Sequence, residues 1–267
     1  MQFRDDHFEI GILGSNGLLG SDLVKHLGKT HKTDSITREN YEEKKNTHYK
    51  VLINANGNSK RFWANQNPQD DFLASTVSVY KSMFDFSSDV YIYISSPDVY
   101  ANHTHPQYTK EDAIINSEKL SSYGFHKYLA ELIVKKYKEK FVVLRCAMIL
   151  GTHVKKGPFH DIVNGKPLFI NQQSKIQLIT TRAVAEIIEI ILQNGLTATT
   201  LNIGGEGTFA FTKIAKYFNQ DIQIQPSAET QIYETNVTEI KKLYKNLKTS
   251  EEYLEDFVKS YLDKNAF

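Results

Sequence analysis

Three glycines, Gly14, Gly17 and Gly20, stand in a G-x-x-G-x-x-G spacing between the apolar run Ile10-Gly11-Ile12-Leu13 and a helical pattern through Leu23, Val24 and Leu27. Strand, tight turn, helix is the opening of a parallel α/β unit. Gly14 permits the sharp turn, Gly17 leaves no side chain in the path of a pyrophosphate, and Gly20 lets the new helix lie close on the strand. The backbone from Ser15 and Asn16 to Leu18 and Leu19 then offers free N–H groups and the positive end of a helix dipole to phosphate oxygens. The seven residues Gly14 to Gly20 are therefore a candidate dinucleotide site.

Beyond this turn, short apolar runs at 8–13, 34–37, 50–54, 90–95, 141–145 and 201–203 alternate with helical patterns at 18–27, 72–86, 123–140 and 182–192. Buried strands that alternate with helices predict a Rossmann-type, doubly wound parallel α/β sheet covered on both faces. Leu254, Phe257, Val258, Tyr261 and Leu262 recur at helical spacing and predict an amphipathic terminal helix. Residues 151–179, with Gly157-Pro158 and Gly165-Lys166-Pro167, break the alternation. The expected organisation is a nucleotide-binding domain over 1–150, to which 180–205 return, and a smaller substrate-binding lobe from 151–179 and 206–267. That lobe would lie over the carboxyl ends of the strands, where ligands of such sheets bind.

Charge and cysteine content narrow the setting. With 32 basic and 31 acidic residues the chain has no global field to draw it to nucleic acid, so a nucleic-acid partner is not expected. Paired lysines such as Lys155-Lys156 read as solvated faces. No apolar stretch has the length of a membrane span, and the charged N-terminus lacks the apolar centre of a signal peptide. The single cysteine, Cys146, lies in an apolar run and reads as a buried structural thiol in a cytoplasmic protein. His103 and His105 have no companion ligands, so no metal is expected. The single tryptophan, Trp63, reads as a packing residue.

A second constellation carries the chemistry. The apolar run from Val90 to Ser95 leads into Ser96-Pro97-Asp98-Val99-Tyr100, and Tyr123-Gly124-Phe125-His126-Lys127 opens a later helix. Tyr123 and Lys127, four apart, project from one helical face. A phenol titrates near ~10 and is a poor acid or base at neutral pH without help. A neighbouring ammonium stabilises the phenolate, and the Ser96 hydroxyl can donate to a carbonyl oxygen as charge develops on it. Asp98 reads as a solvated loop carboxylate, with an acid or base role as the alternative.

Together the glycine turn, the loop Ser95-Ser96-Pro97-Asp98-Val99-Tyr100 and the Tyr123/Lys127 pair resemble the extended short-chain dehydrogenase/reductase superfamily, the NAD-dependent epimerase/dehydratase family. The resemblance continues through Val143-Leu144-Arg145, Gly151, residues 179–187 and Leu201-Asn202-Ile203-Gly204-Gly205. It implies that Tyr123 is the acid/base, Lys127 its electrostatic helper and a ribose ligand, and Ser96 the carbonyl-orienting hydroxyl. It implies cofactor contacts from Ala55, Asn56 and Gly57 in the loop after the third strand, and substrate contacts from Asn58, Ser96 and Pro97. Arg182 stands where a nucleotide-diphosphate contact is possible, with a surface residue at a helix start as the alternative reading. The family's frequent homodimer would pack through the long helix that opens at Tyr123.

Cofactor and branch follow from two positions. An acidic residue usually ends the second strand of NAD-preferring members. Arg38 falls there instead, and its guanidinium suits a 2′-phosphate, so NADP(H) is favoured and NAD(H), read by Asp34 or Glu39, is the alternative. Pro97 stands where the family's dehydratases carry an acid, which argues against dehydration. The chain most resembles the nucleotide-sugar 4-ketoreductases of the dTDP-4-dehydrorhamnose reductase type, acting on a nucleotide sugar. The alternatives are a nucleotide-sugar epimerase that retains NAD and a non-catalytic sensor of the dinucleotide.

Overall fold

The structure, a computed structural model, describes residues 9–151, 153–219 and 221–265. Its centre is a six-stranded parallel sheet built from β1 (Glu9–Leu13), β2 (Lys32–Ile36), β3 (His48–Asn54), β4 (Ser87–Ser95), β5 (Phe141–Cys146) and a last strand, Thr199–Ile203. The order across the sheet is Thr199–Ile203, β5, β4, β3, β1, β2. Successive side chains of a strand face opposite ways. Val51 and Ile53 accordingly join one apolar cluster with Ile10, Ile12 and Ile92, while Leu52 joins the other with Leu13, Tyr91 and Val143. Register aligns these residues, with Ile10 beside Val51, Ile53 beside Ile92 and Leu144 beside Leu201.

Helices cover both faces. On the first, α1 (Leu18–Leu27) packs beside the helix Thr181–Gln193, and Thr181 donates to the buried Asp22 at 2.6 Å. On the second lie Ser78–Asp85 and Ser122–Tyr137, through Val79, Met83, Ala130 and Val134. The helix expected over 72–86 begins earlier, at Pro68, because proline fits the first turn, where no amide partner is lost. Its course includes one wider turn of π-helix, Leu73–Val77, before Ser78–Asp85. The helix expected to reach 140 stops at Tyr137, where Lys138 turns extended to feed β5. The expected start of the first strand at Phe8 lies outside the described residues. In the terminal helix, Ser250–Asn265, the apolar stripe is buried at Leu254, Phe257 and Val258, whereas Leu262 is 44% exposed.

The chain turns to β2 on one side of β1 and to β3 on the other, so the loops at the carboxyl ends of β1 and β3 part and leave a crevice. Short strands outside the main sheet stand nearby. Met148–Leu150 pairs with Leu178–Thr180, Leu168–Ile170 with Ile224–Glu229, and Lys175–Ile176 with both Phe209–Ala210 and Ile232–Tyr233. Among the described residues no helix is long and apolar enough to cross a membrane.

Candidate active site

The glycine turn folds as its spacing requires. Gly14 adopts φ +78° and Gly17 ends the turn as the residue capping α1, its amide donating to Gly14 O at 2.8 Å. A Cβ on Gly20 would stand 2.2 Å from Gly14 O, so the first turn of α1 rests directly on the loop and only glycine permits it. Asn16 and Gly17 are exposed, while the Leu19 side chain sits in the core and leaves only its amide for a ligand. The Ser15 hydroxyl is buried without a hydrogen-bond partner. A buried hydroxyl left unpaired inside a phosphate-binding turn fits a ligand oxygen as its missing partner.

The crevice beside this turn has a volume of about 610 Å³ and is walled by Gly14, Arg38, Asn56 and Gly57, with Ala55 anchoring the loop through its amide on Leu13 O. Its charge is one-sided. Arg38, Lys60 and Lys81 line it against a single carboxylate, Glu42, which Lys45 engages at 2.7 Å. Asp34, the other candidate reader of a ribose, is turned away, held by Lys44 and by the Tyr49 hydroxyl at 2.7 Å. Those donors hold its carboxyl below the usual range, although its burial acts the other way and is the largest single influence. Glu39 lies at the surface beside Thr37. Trp63, expected to be a packing residue, lines the crevice instead and is 37% exposed. It stands on a short helix, Arg61–Gln66, whose inner face is filled by Ala64 alone.

Ser96, Tyr123 and Lys127 come together next to this crevice. Ser96 follows β4 and caps the short turn Pro97–Val99, in which Pro97 is buried. Tyr123 and Lys127 occupy the first turns of Ser122–Tyr137, with Ser121 capping the helix by accepting from the Gly124 amide. The Ser96 side chain neighbours the Tyr123 phenol. Burial, and after it the Asp98 carboxylate, hold the Tyr123 phenol above its ordinary range. Burial pushes the Lys127 ammonium down to about 8, against the opposing pull of Asp71, Glu131 and Asp98. Lys127 Nζ donates to Ile94 O at 3.3 Å and stands 3.5 Å from where a Cβ of Gly57 would be, so it reaches the crevice wall.

Several of the residues that hold this arrangement are not apparent in the sequence. One turn beyond Lys127, the buried Glu131 accepts from Arg145 at 2.7 Å and from Ser95 at 2.6 Å. Arg145 also donates to the Tyr100 hydroxyl at 2.7 Å, which in turn donates to Asn202 at 2.9 Å. The helix Ser122–Tyr137 is thereby fixed to β4, β5 and the last strand. Asp71, fully buried, accepts from His126 at 2.7 Å, Asn58 at 2.9 Å and Ser75 at 3.0 Å. Glu131 lies four residues past Lys127, a spacing that could have marked it; Asp71 carries no such signal.

Not every expected residue joins the site. Arg182 is 76% exposed, is paired with Glu186 at 2.8 Å and faces His26 near the far end of α1. The helix start at Thr180 directs it outward, which is the alternative reading given above. Asn58 lines the crevice, but its amide is committed to Asp71 and to the backbone of Lys60, so it shapes the loop. Asp98, expected to be solvated, has a side chain only 14% exposed. His103 stacks on Tyr233 with ring centres 3.7 Å apart. Cys146 is buried, and burial pushes its thiol up to about 12.

Known structures share this fold. Among curated proteins none matches the chain. Among solved structures, dTDP-4-dehydrorhamnose reductase from Bacillus anthracis in complex with NADP is 14% identical with a TM-score of 0.77, over 95% of this chain and 98% of that one. UDP-glucuronic acid 4-epimerase from Bacillus cereus in complex with UDP-glucuronic acid and NAD is 16% identical with a TM-score of 0.74, over 94% and 99%. UDP-glucose 4-epimerase from Thermotoga maritima, with UDP-glucose, is 14% identical with a TM-score of 0.70, over 97% and 100%. Identities this low establish the shared fold. The sequence profile of the NAD dependent epimerase/dehydratase family spans residues 10–204. Glycine turn, serine loop and Tyr/Lys helix all fall inside that span, and the chain belongs to the NAD dependent epimerase/dehydratase family of enzymes.

Proposed function

We propose that the chain is an NADPH-dependent oxidoreductase that reduces a keto group on a nucleotide-linked sugar. The observation that carries this reading is the placing of Ser96 near Tyr123, with Lys127 one turn along the same helix and its nitrogen at a crevice whose wall includes Gly57 and Arg38. The glycine turn and its buried, unpartnered Ser15 hydroxyl fit a dinucleotide, held through the amides from Ser15 to Leu19 and by Ala55, Asn56 and Gly57. When bound, the nicotinamide supplies the hydride. Tyr123 gives its phenol proton to the carbonyl oxygen, Ser96 orients that oxygen, and the Lys127 ammonium stabilises the phenolate left behind and binds the ribose.

Arg38 supports the phosphorylated cofactor. A guanidinium can meet a 2′-phosphate with two parallel hydrogen bonds. Asp34, engaged by Lys44 and Tyr49, has no free oxygen directed at a ribose. Pro97 stands where a dehydration would need an acid, which speaks against that reaction. The short-stranded segments 151–179 and 206–265 would hold the nucleotide sugar. The reading extends to a cytoplasmic homodimer packed through Ser122–Tyr137, whose Tyr137 ring meets Tyr80 and Phe84 at the surface; sedimentation velocity checks it, and a monomer at all concentrations refutes it.

Consumption of NADPH with a panel of nucleotide-linked 4-keto-6-deoxy sugars, with NADH in parallel, tests the function. Turnover with NADPH and one panel member is expected. Protein that carries retained NAD and isomerises nucleotide sugars without net NADPH consumption would overturn it in favour of an epimerase.

A further inference from the structure

The stretch between β3 and the helix that begins at Pro68 crosses from one part of the molecule to another. At its root Gly57 adopts φ +121°, and Asn58 donates to the buried Asp71 at 2.9 Å. Beyond them the chain reaches segments far along the sequence. Lys156 Nζ donates to Ser59 Oγ at 2.7 Å, across 97 residues. Arg61 donates to Gln231, and to Asp98 at 3.3 Å, and its guanidinium lies 5.0 Å over the Tyr233 ring. The Phe62 ring meets that of Phe169 with centres 6.0 Å apart. On the inner side Asn65 accepts from the Tyr123 amide at 3.2 Å, while Lys60 and Trp63 wall the crevice.

Residues 58–66 thus bridge the crevice, the start of Ser122–Tyr137 and the outer strands. Beside this bridge Ser96, Tyr123 and Lys127 are buried. A nicotinamide ring and a sugar must both come to lie against those three groups, so part of their enclosure has to move. The parts differ in how firmly they are held. The helix Ser122–Tyr137 is tied down by the buried Glu131–Arg145 pair, and the serine loop by the buried side chains of Pro97, Val99 and Tyr100. The bridge is held more lightly. Of the helix Arg61–Gln66 only Ala64 is buried, and Phe62 and Phe169 stay 65% and 62% exposed although their rings meet. Segments with few buried contacts open locally at the least cost.

Taking Ser96, Tyr123 and Lys127 as the reacting groups, as the proposed function does, we propose that residues 58–66 are a clasp over the reaction chamber. The Phe62–Phe169, Ser59–Lys156 and Arg61–Gln231 contacts latch it, and it swings about Gly57 to admit the nicotinamide end of the cofactor and the sugar. Closed over both, it excludes water from the reacting carbon. The latch closes alike before and after binding. Weakening it therefore raises the rates of entry and exit together and leaves affinity nearly unchanged.

Two variants, Phe169→Ala and Lys156→Ala, loosen the latch from exposed positions. Hydrogen exchange of the protein without ligand is expected to quicken at 58–66 in both and to stay unchanged in β4. Trp63, the single tryptophan, stands on the clasp, so its fluorescence follows stopped-flow mixing with NADPH, and with NADH in parallel. Phe169→Ala is expected to raise the association and dissociation rate constants alike by about 2- to 10-fold, the worth of an aromatic pair, with Kd nearly unchanged. Exchange at 58–66 that neither variant quickens, or rate constants that keep their wild-type values, overturns the proposal. A Kd raised through faster dissociation alone also overturns it, because Phe169 would then be a ligand contact. Failure of the whole sugar panel with the expected exchange and rate constants would instead overturn the substrate reading and leave the clasp in place.

Discussion

Lys127 carries its charge at the expense of the fold, and replacing it should stabilise the protein. The side chain is 6% exposed, with one hydrogen bond to Ile94 O at 3.3 Å and the Tyr93 ring 5.3 Å from its nitrogen. Burial takes it from the ordinary 10.5 to about 8. A displacement of that size makes the native state about 3 kcal/mol less stable near neutral pH than it would be with an unperturbed lysine. Lys127→Met fills similar space without charge. It forfeits the hydrogen bond and the ring contact, together about 1 kcal/mol. The expected net gain near neutral pH is about 2 kcal/mol, or about 4–8 °C in Tm for a chain of this length.

The gain has a defined pH window. The native pKa lies below the unfolded one, so between about 8 and 10.5 the unfolded chain holds the extra proton and wild-type stability rises with pH. The advantage of Lys127→Met is therefore complete below about pH 8 and fades toward 10.5. Urea unfolding of both proteins across this range measures it, and turnover should disappear in the same variant. A variant no more stable than wild type at neutral pH, or a gain that does not change with pH, would refute the reasoning.

Arg38→Ala should raise KM for NADPH by about 10- to 100-fold, the cost of a charge-assisted pair, with little effect on NADH; equal changes for both would remove Arg38 as the phosphate reader. Tyr123→Phe should lower kcat by about 10²- to 10⁴-fold while NADPH still binds in a fluorescence titration, and undiminished turnover would sink the assignment. Glu131→Ala leaves the buried Arg145 guanidinium without its carboxylate and should cost about 3–5 kcal/mol in chemical unfolding; a loss within experimental error would show that the pair does not anchor the helix.

What the sequence conveyed were features written within a few residues of one another. The glycine turn, the strand that ends at Ser95 and the Tyr123/Lys127 spacing are local patterns, and α1 runs over the expected 18–27. Partners joined by the fold were not legible. Asp98 meets Tyr233 across 135 residues and His126 meets Asp71 across 55, and no periodicity encodes such pairs. Trp63 was misjudged because an aromatic residue on a short helix looks alike whether it faces core or crevice. Arg182 and Glu186, one turn apart, form the exposed helical pair that their spacing allows.

The chain of buried polar groups behind the helix Ser122–Tyr137 has a consequence for the order of assembly. Asn202 receives the Tyr100 hydroxyl, and its own amide donates to the carbonyls of Thr109 and Asn236. The surroundings of the Arg145–Glu131 pair are therefore complete only after the polypeptide has been made as far as residue 236. A nascent chain that has released only β1 to β5 already holds the guanidinium and the carboxylate but lacks the strand that closes over them. Such an intermediate exposes an unsatisfied sheet edge, and the Tyr100 hydroxyl lacks its Asn202 acceptor until Thr199–Ile203 docks. Completion of the polar network behind the helix Ser122–Tyr137 is thus a late event of synthesis, timed by the strand that carries Asn202.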